Sequence, residues 1–280
     1  MFKHFKKKFR KIRENRALKH HPFFLGLLAS SYCNTQSIGQ AVLRQGCNPL
    51  LLKQINKCTT LSTQFRFFYC RIPKAANSTV MATLGFELNG FTPVSREDMK
   101  YVKEKIFDRV LSTNLSRAVV LKDYFKFSVV RNPYSRLVSA FNDKIIDASG
   151  YQEHVRKRIV EGCTDSRTVS VIFNDFLDRL ETGPLMVSNY HFTPQTTLLA
   201  FMPEELDYLG RVENLNEDMC YITKIIFGEP KNIITWAPHG IKTGIKPRSK
   251  TLFVDQLTSS QKERILRLYR NDFDLLGYAP

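Results

Sequence analysis

Two short segments of this 280-residue sequence carry residue types suited to gripping an anion. The first reads Arg71-Ile72-Pro73-Lys74-Ala75-Ala76-Asn77-Ser78-Thr79. A lysine supplies charge, two small residues let the backbone approach a phosphate, and three side chains then offer hydroxyl or amide groups. A Walker loop instead needs Gly-x-x-x-x-Gly-Lys-Ser/Thr, with the lysine directly before the hydroxyl that holds Mg²⁺. Here Lys74 opens the segment and no glycine occurs in it, an order that calls for no metal. The second segment places Arg131 at the end of an apolar run and Ser139 eight residues later. Arginine offers planar donors matched to phosphate, and serine adds a neutral one. At about 100° per helical residue, Ser139 points roughly 150° from the centre of the stripe formed by Leu137, Val138, Phe141 and Ile145, so it faces whatever this corner binds. Nearby, Arg136 either adds charge to this corner or serves as a surface or ion-pairing residue.

These residues need elements to position them. Phe65 to Ile72 (FRFFYCRI) predicts a buried strand ending at Pro73, and Val80, Leu84 and Leu88, with Met81 beside them, predict one apolar helical face. Phe125 to Val130 predicts a second strand, followed by Asn132 as a cap and Pro133 in the first turn of a helix. Asn214 with Glu217 resembles a capping box opening a helix to about Phe227, and Ser260 with Glu263 does the same for one to about Asn271. Strands alternating with helices predict an α/β fold, a single domain with a mainly parallel central sheet flanked by helices. In such sheets ligands sit beyond the carboxyl ends of strands, against helix N-termini. Residues 63–280 read as that domain and residues 1–62 as a basic N-terminal extension.

Composition is consistent with this. A chain that is 43% hydrophobic and 12% aromatic buries a core, which excludes disordered and fibrous classes. Half of the net charge of +16 falls in residues 1–21, and the rest makes the body basic, which favours polyanionic partners. The N-terminal run carries no nucleic-acid-binding motif, so nucleic acid is not an expected partner. Six cysteines at irregular spacing, with no Cys-x-x-Cys pair, predict no metal site and reduced thiols. Pro22 to Ser30 (PFFLGLLAS) is too short for the ~20 apolar residues of a membrane span; with the basic run it predicts an arm that touches a membrane surface or a partner. His239 to Lys250 (HGIKTGIKPRSK) reads as a basic loop.

With both corners in view, the sequence resembles the carbohydrate sulfotransferases of the chondroitin, dermatan and HNK-1 type. The likeness rests on Ile72-Pro73-Lys74 through Thr79 and on Val130-Arg131-Asn132-Pro133-Tyr134-Ser135-Arg136-Leu137-Val138-Ser139-Ala140-Phe141. Weaker echoes are His191-Phe192-Thr193-Pro194-Gln195, Gly210 to Leu215, and Tyr269 to Phe273 with Leu276-Gly277-Tyr278. The resemblance spans residues 65–280. It implies a P-loop-NTPase-like sulfotransferase fold and transfer of a sulfuryl group from 3′-phosphoadenosine 5′-phosphosulfate (PAPS) to a hydroxyl, leaving 3′-phosphoadenosine 5′-phosphate (PAP). Lys74 would neutralise the bridging oxygen, with Ala75, Ala76, Asn77, Ser78 and Thr79 around the 5′-phosphate. Arg131 and Ser139 would hold the 3′-phosphate, and Lys242 or Arg248 would close over the nucleotide. Trp236 reads as a core residue that could otherwise stack on adenine. His191 is the first choice for general base, with Asp123 and Glu97 as alternatives. The implied acceptor is a polysaccharide or glycolipid. Golgi members of the group begin with a membrane anchor, absent from this sequence, which gives a cytoplasmic expectation with the Golgi lumen as the alternative. A nucleotide kinase, a non-enzymatic polyanion-binding protein and an inactive PAP-binding relative are the competing classes.

Overall fold

A computed structural model describes residues 54–108, 117–147, 168–182, 185–235 and 251–280. At its centre lie four strands in sequence order: β1 (Thr59–Ser62), β2 (Phe67–Cys70), β3 (Phe125–Val130) and β4 (Tyr208–Arg211). β1 pairs antiparallel with β2, whereas β2, β3 and β4 are parallel. The expected mainly parallel sheet is therefore present, with an antiparallel strand at one edge. The boundary expected at residue 62 falls at the end of β1, so residues 59–62 belong with the sheet and not with the extension.

Successive side chains of a strand point to opposite faces. Phe68 and Cys70 accordingly enter one buried layer with Ile55, Ile72, Leu198 and Phe201. Phe67 and Tyr69 enter another with Phe127, Val80, Leu84, Met219 and Ile222. Both faces are covered, as a parallel sheet requires. Tyr69 lies flat on Phe127, with ring centroids 4.7 Å apart.

The helices that bear on function are α1 (Asn77–Asn89), α2 (Arg96–Tyr101), α3 (Arg117–Asp123), α4 (Pro133–Phe141) and α5 (Val169–Thr182). Beyond them come α6 (Leu185–Ser188), α7 (Gln195–Leu198), α8 (Leu215–Phe227), α9 (Ser259–Leu268) and α10 (Arg270–Leu276). Helices α4, α5, α9 and α10 share a third core, where Phe141, Phe173, Phe176, Phe192, Ile265 and Phe273 meet.

Two capping expectations change. Asn214 precedes α8 but its side chain makes no capping bond; Asp218, one residue past the expected partner, turns instead to Tyr208 and to the backbone of Arg211. At α9 the box is built by Thr258 and Gln261, two residues earlier than Ser260 and Glu263, and the helix breaks at Tyr269. The fully buried Tyr269 hydroxyl donates to the Phe192 carbonyl at 2.6 Å, which explains why tertiary contact overrides the helical period there.

Candidate active site

Beyond the carboxyl ends of β2 and β3 the chain makes the two expected strand-to-helix corners. At the first, Lys74 (φ 69°) and Ala76 (φ 50°) adopt left-handed backbone conformations, which cost side-chain-bearing residues about 1–2 kcal/mol each. No side chain caps α1. The opening amides of a helix have no intrahelical partner, so Asn77, Ser78 and Thr79 present theirs, with the positive end of the helix dipole, towards the space above the sheet.

The second corner is braced. Asn132 Oδ1 accepts from the amides of Tyr134 and Ser135, at 3.0 and 3.3 Å, and Pro133 occupies the first turn of α4. Gln195 holds the Arg131 backbone on both sides: its Oε1 accepts from the amide at 3.0 Å and its Nε2 donates to the carbonyl at 2.7 Å. Gln195 is fixed in turn by Asp272, which accepts from the amides of Gln195 and Thr196. Glu213 accepts from the Asn132 amide at 2.8 Å and from the Tyr278 hydroxyl. Thus the Thr-Pro-Gln, Val-Glu-Asn and Asn-Asp-Phe segments that looked like weak echoes form the scaffold of the Arg131 corner.

A single cavity of about 1280 Å³ opens between the corners. Lys74, Ala76, Asn77, Ser78 and Thr79 line it from the first corner, Arg131, Ser135 and Ser139 from the second, and Tyr190 and His191 from the loop before α7. Ala75 is buried behind them. Eight lysine or arginine side chains line the cavity against four carboxylates, which makes it an anion-attracting space. Among the described residues, five side chains bury a polar atom without a partner, and four of these, Asn56, Arg71, Asn77 and His191, line this cavity. Buried polar groups are normally satisfied. Their concentration here marks a place shaped for something that binds.

Lys74 Nζ lies 3.2 Å from Asp143 Oδ2, and Lys144 Nζ reaches the same oxygen at 2.9 Å. Burial lowers the Lys74 pKa and Asp143 pulls it back up. Burial would raise the Asp143 carboxyl, but the two lysines outweigh it and hold it at about 2. The His191 imidazole is pushed well below its ordinary value, first by burial and then by Lys144 and Lys74, and so is neutral at physiological pH. Lys103 Nζ donates to Ser78 Oγ at 2.8 Å.

Neither Asp123 nor Glu97, the alternative bases, lines the cavity; both are exposed. Trp236, Lys242 and Arg248 lie outside the described residues. Arg136 does not behave as a surface residue: it is 1% exposed, with Nε donating to the Pro73 carbonyl at 3.0 Å and Nη2 to the Tyr190 carbonyl at 3.3 Å. Asp143 had a signal in the sequence, since Ser135, Ser139 and Asp143 recur every four residues along the outer face of α4 and the turn after it. Lys103 had none, because its position depends on how a distant turn packs.

A family model described as "Sulfotransferase family" matches residues 58–279, and the chain belongs to that family. The relatives narrow the branch to the carbohydrate sulfotransferases. Carbohydrate sulfotransferase 14 of Danio rerio is 29% identical over 261 residues, covering 89% of this chain and 69% of that protein. Carbohydrate sulfotransferase 10 of Xenopus laevis is 28% identical, covering 78% and 66%, and that of Homo sapiens is 28% identical, covering 76% and 64%. The chain therefore spans about two thirds of the length of these curated relatives. No solved structure matches. These relatives correct the cytoplasmic expectation: carbohydrate sulfotransferases 10 and 14 are of the Golgi type and point to the Golgi lumen. No helix among the described residues is long and apolar enough to cross a membrane.

Proposed function

We propose that this chain transfers a sulfuryl group from PAPS to a hydroxyl of a carbohydrate acceptor, a polysaccharide or glycolipid. The catalytic unit is the sheet with its helices, together with Ile55 and Cys58 that pack in its buried layer, and the basic extension is the sequence before them. One observation carries the reading: a single cavity has a lysine and free helix amides on one wall and an arginine and serine on the other. A nucleotide with phosphates at both its 5′ and 3′ ends suits such a pair of walls.

Transfer needs in-line attack and compensation of the charge that develops on the leaving phosphate. In this reading Lys74 turns from Asp143 to the bridging oxygen as the S–O bond breaks, and the amides of Asn77, Ser78 and Thr79 hold the 5′-phosphate. Arg131 and Ser139 take the 3′-phosphate. His191, whose imidazole is held below its ordinary value by burial and the two lysines, accepts the proton of the acceptor hydroxyl. The bound donor offsets the positive charges of Lys74 and Lys144, so the imidazole regains basicity once the donor is in place. No step requires a metal ion.

Calorimetric titration with PAP and with ADP, in buffer free of Mg²⁺, tests this. PAP should bind at least tenfold more tightly than ADP, and Arg131→Ala should weaken PAP by about 10- to 100-fold, the worth of a charge-assisted hydrogen bond, with little effect on ADP. Equal binding of the two nucleotides, or a requirement for Mg²⁺, would overturn the reading and favour a kinase.

A further inference from the structure

Between α2 and the residues that follow, the chain runs through a five-residue π-helical turn, Val102–Ile106. Such wide turns are uncommon and tend to occur at functional sites. This one lies directly on α1. A methyl group at Gly85, in the middle of α1, would stand 2.9 Å from Val102 Cγ1 and 3.7 Å from Ile106 Cδ1. Glycine inside a helix is destabilising by roughly 0.5–1 kcal/mol relative to alanine, so its presence here is explained by that close approach. The approach lets the next residue, Lys103, extend along α1 to its first turn, where its ammonium meets Ser78.

The surroundings of Lys103 are those of a cation awaiting a counter-charge. It is half-buried in the cavity wall. The charges that act most strongly on it are Arg71 from the end of β2, Lys74 from the first corner and Lys144 from the turn after α4, all of them basic, although Glu104, Asp108 and Asp147 also line the cavity. Asp143, on the same cavity wall as Lys74 and Lys144, is taken by those two lysines. Among the described residues Lys103 pairs with no carboxylate, and its partner is the neutral Ser78 hydroxyl. A buried charge without a counter-ion is costly, and burial together with the three cations brings the ammonium down to about 8.

We propose that Lys103 binds the donor's 5′-phosphosulfate, as a second lysine on the anion that Lys74 and the α1 amides receive. The proposal rests on the reading of the cavity as a PAPS site. Ser78 then has two partners in common with the ligand, since it lies in the first turn whose amides hold the 5′-phosphate and its hydroxyl receives Lys103. An anion seated on those amides is one hydroxyl away from the ammonium.

The test is calorimetric titration of the full chain with PAP and with adenosine 3′-monophosphate, which keeps the 3′-phosphate but lacks the 5′ group. Wild type, Lys103→Met and Lys103→Arg are compared at pH 7 and pH 9. Lys103→Met should weaken PAP by about 10- to 100-fold while shifting adenosine 3′-monophosphate by about twofold or less, and Lys103→Arg should recover most of the loss. Because the free ammonium deprotonates near 8, wild-type affinity for PAP should fall between pH 7 and pH 9, and that fall should vanish in Lys103→Met. If Lys103→Met binds PAP as wild type does, the inference is wrong. If it loses both ligands alike and Lys103→Arg restores neither, Lys103 is a structural tether for Ser78 and the inference is equally wrong. A wild-type chain that binds adenosine 3′-monophosphate but not PAP would also overturn it. Failure of wild type to bind either ligand would instead sink the PAPS reading on which it depends.

Discussion

The two strand-to-helix corners present donors beyond the sheet in opposite ways. At the second corner the opening amides are already engaged: Asn132 consumes those of Tyr134 and Ser135, while Gln195 and Glu213 take those of Arg131 and Asn132. What that corner turns to the cavity is side chains, Arg131 and Ser139. At the first corner no side chain caps α1, and two residues accept left-handed backbone so that the opening amides stay free. Capping makes a corner rigid and selective, and leaving it uncapped makes it receptive. On the proposed reading, specificity for the nucleotide belongs to the braced corner and the chemistry to the strained one.

The sharpest way to break this division is Lys74→Ala. Removing the cation that faces the leaving group should lower the transfer rate by about 10²- to 10³-fold, the range found when one preorganised electrostatic contact is lost, while PAP affinity changes far less. A rate assay alongside titration separates the two effects, and an affinity loss as large as the rate loss would place specificity at the first corner too. Asn132→Ala attacks the other corner. Losing the cap should cost about 1 kcal/mol of stability, read as a melting-temperature drop of about 2–4 °C, whereas no cap exists at α1 to lose. The smallest effect belongs to Ala76→Gly. Glycine relieves the left-handed strain but costs unfolded-state entropy, so stability should move by less than about 0.5 kcal/mol in chemical denaturation. A large destabilisation would mean that the Ala76 methyl group, and not the backbone shape, is what the first corner needs.

Local chemistry made the corners legible in the sequence. Asn132 and Pro133 announce their helix by residue type, Lys74 and Arg131 stand at strand ends, and the outward direction of Ser139 follows from helical spacing alone. What stayed hidden depends on long-range packing. Gln195 acts on Arg131 from 64 residues down the chain, and Asp272 fixes Gln195 from 77 residues further on. Lys103 reaches Ser78 only because Gly85 admits a wide turn. The four residues of β1 carry no strong strand signal and are recruited by pairing with β2. Asn214 shows the opposite error, a good cap by sequence whose neighbour Asp218 found better partners.

Arg136 has a consequence for how the site comes into being. Its guanidinium is inside the protein and binds carbonyl groups of two segments, Pro73 and Tyr190, that lie 63 and 54 residues away in the chain. Until both segments have docked, that charge has nowhere satisfactory to go, and burying it half-satisfied is unfavourable. The first corner, the second corner and the His191 loop therefore assemble together or not at all. On the proposed reading, partially folded chains that could seize the donor and waste it on water are kept scarce by one arginine.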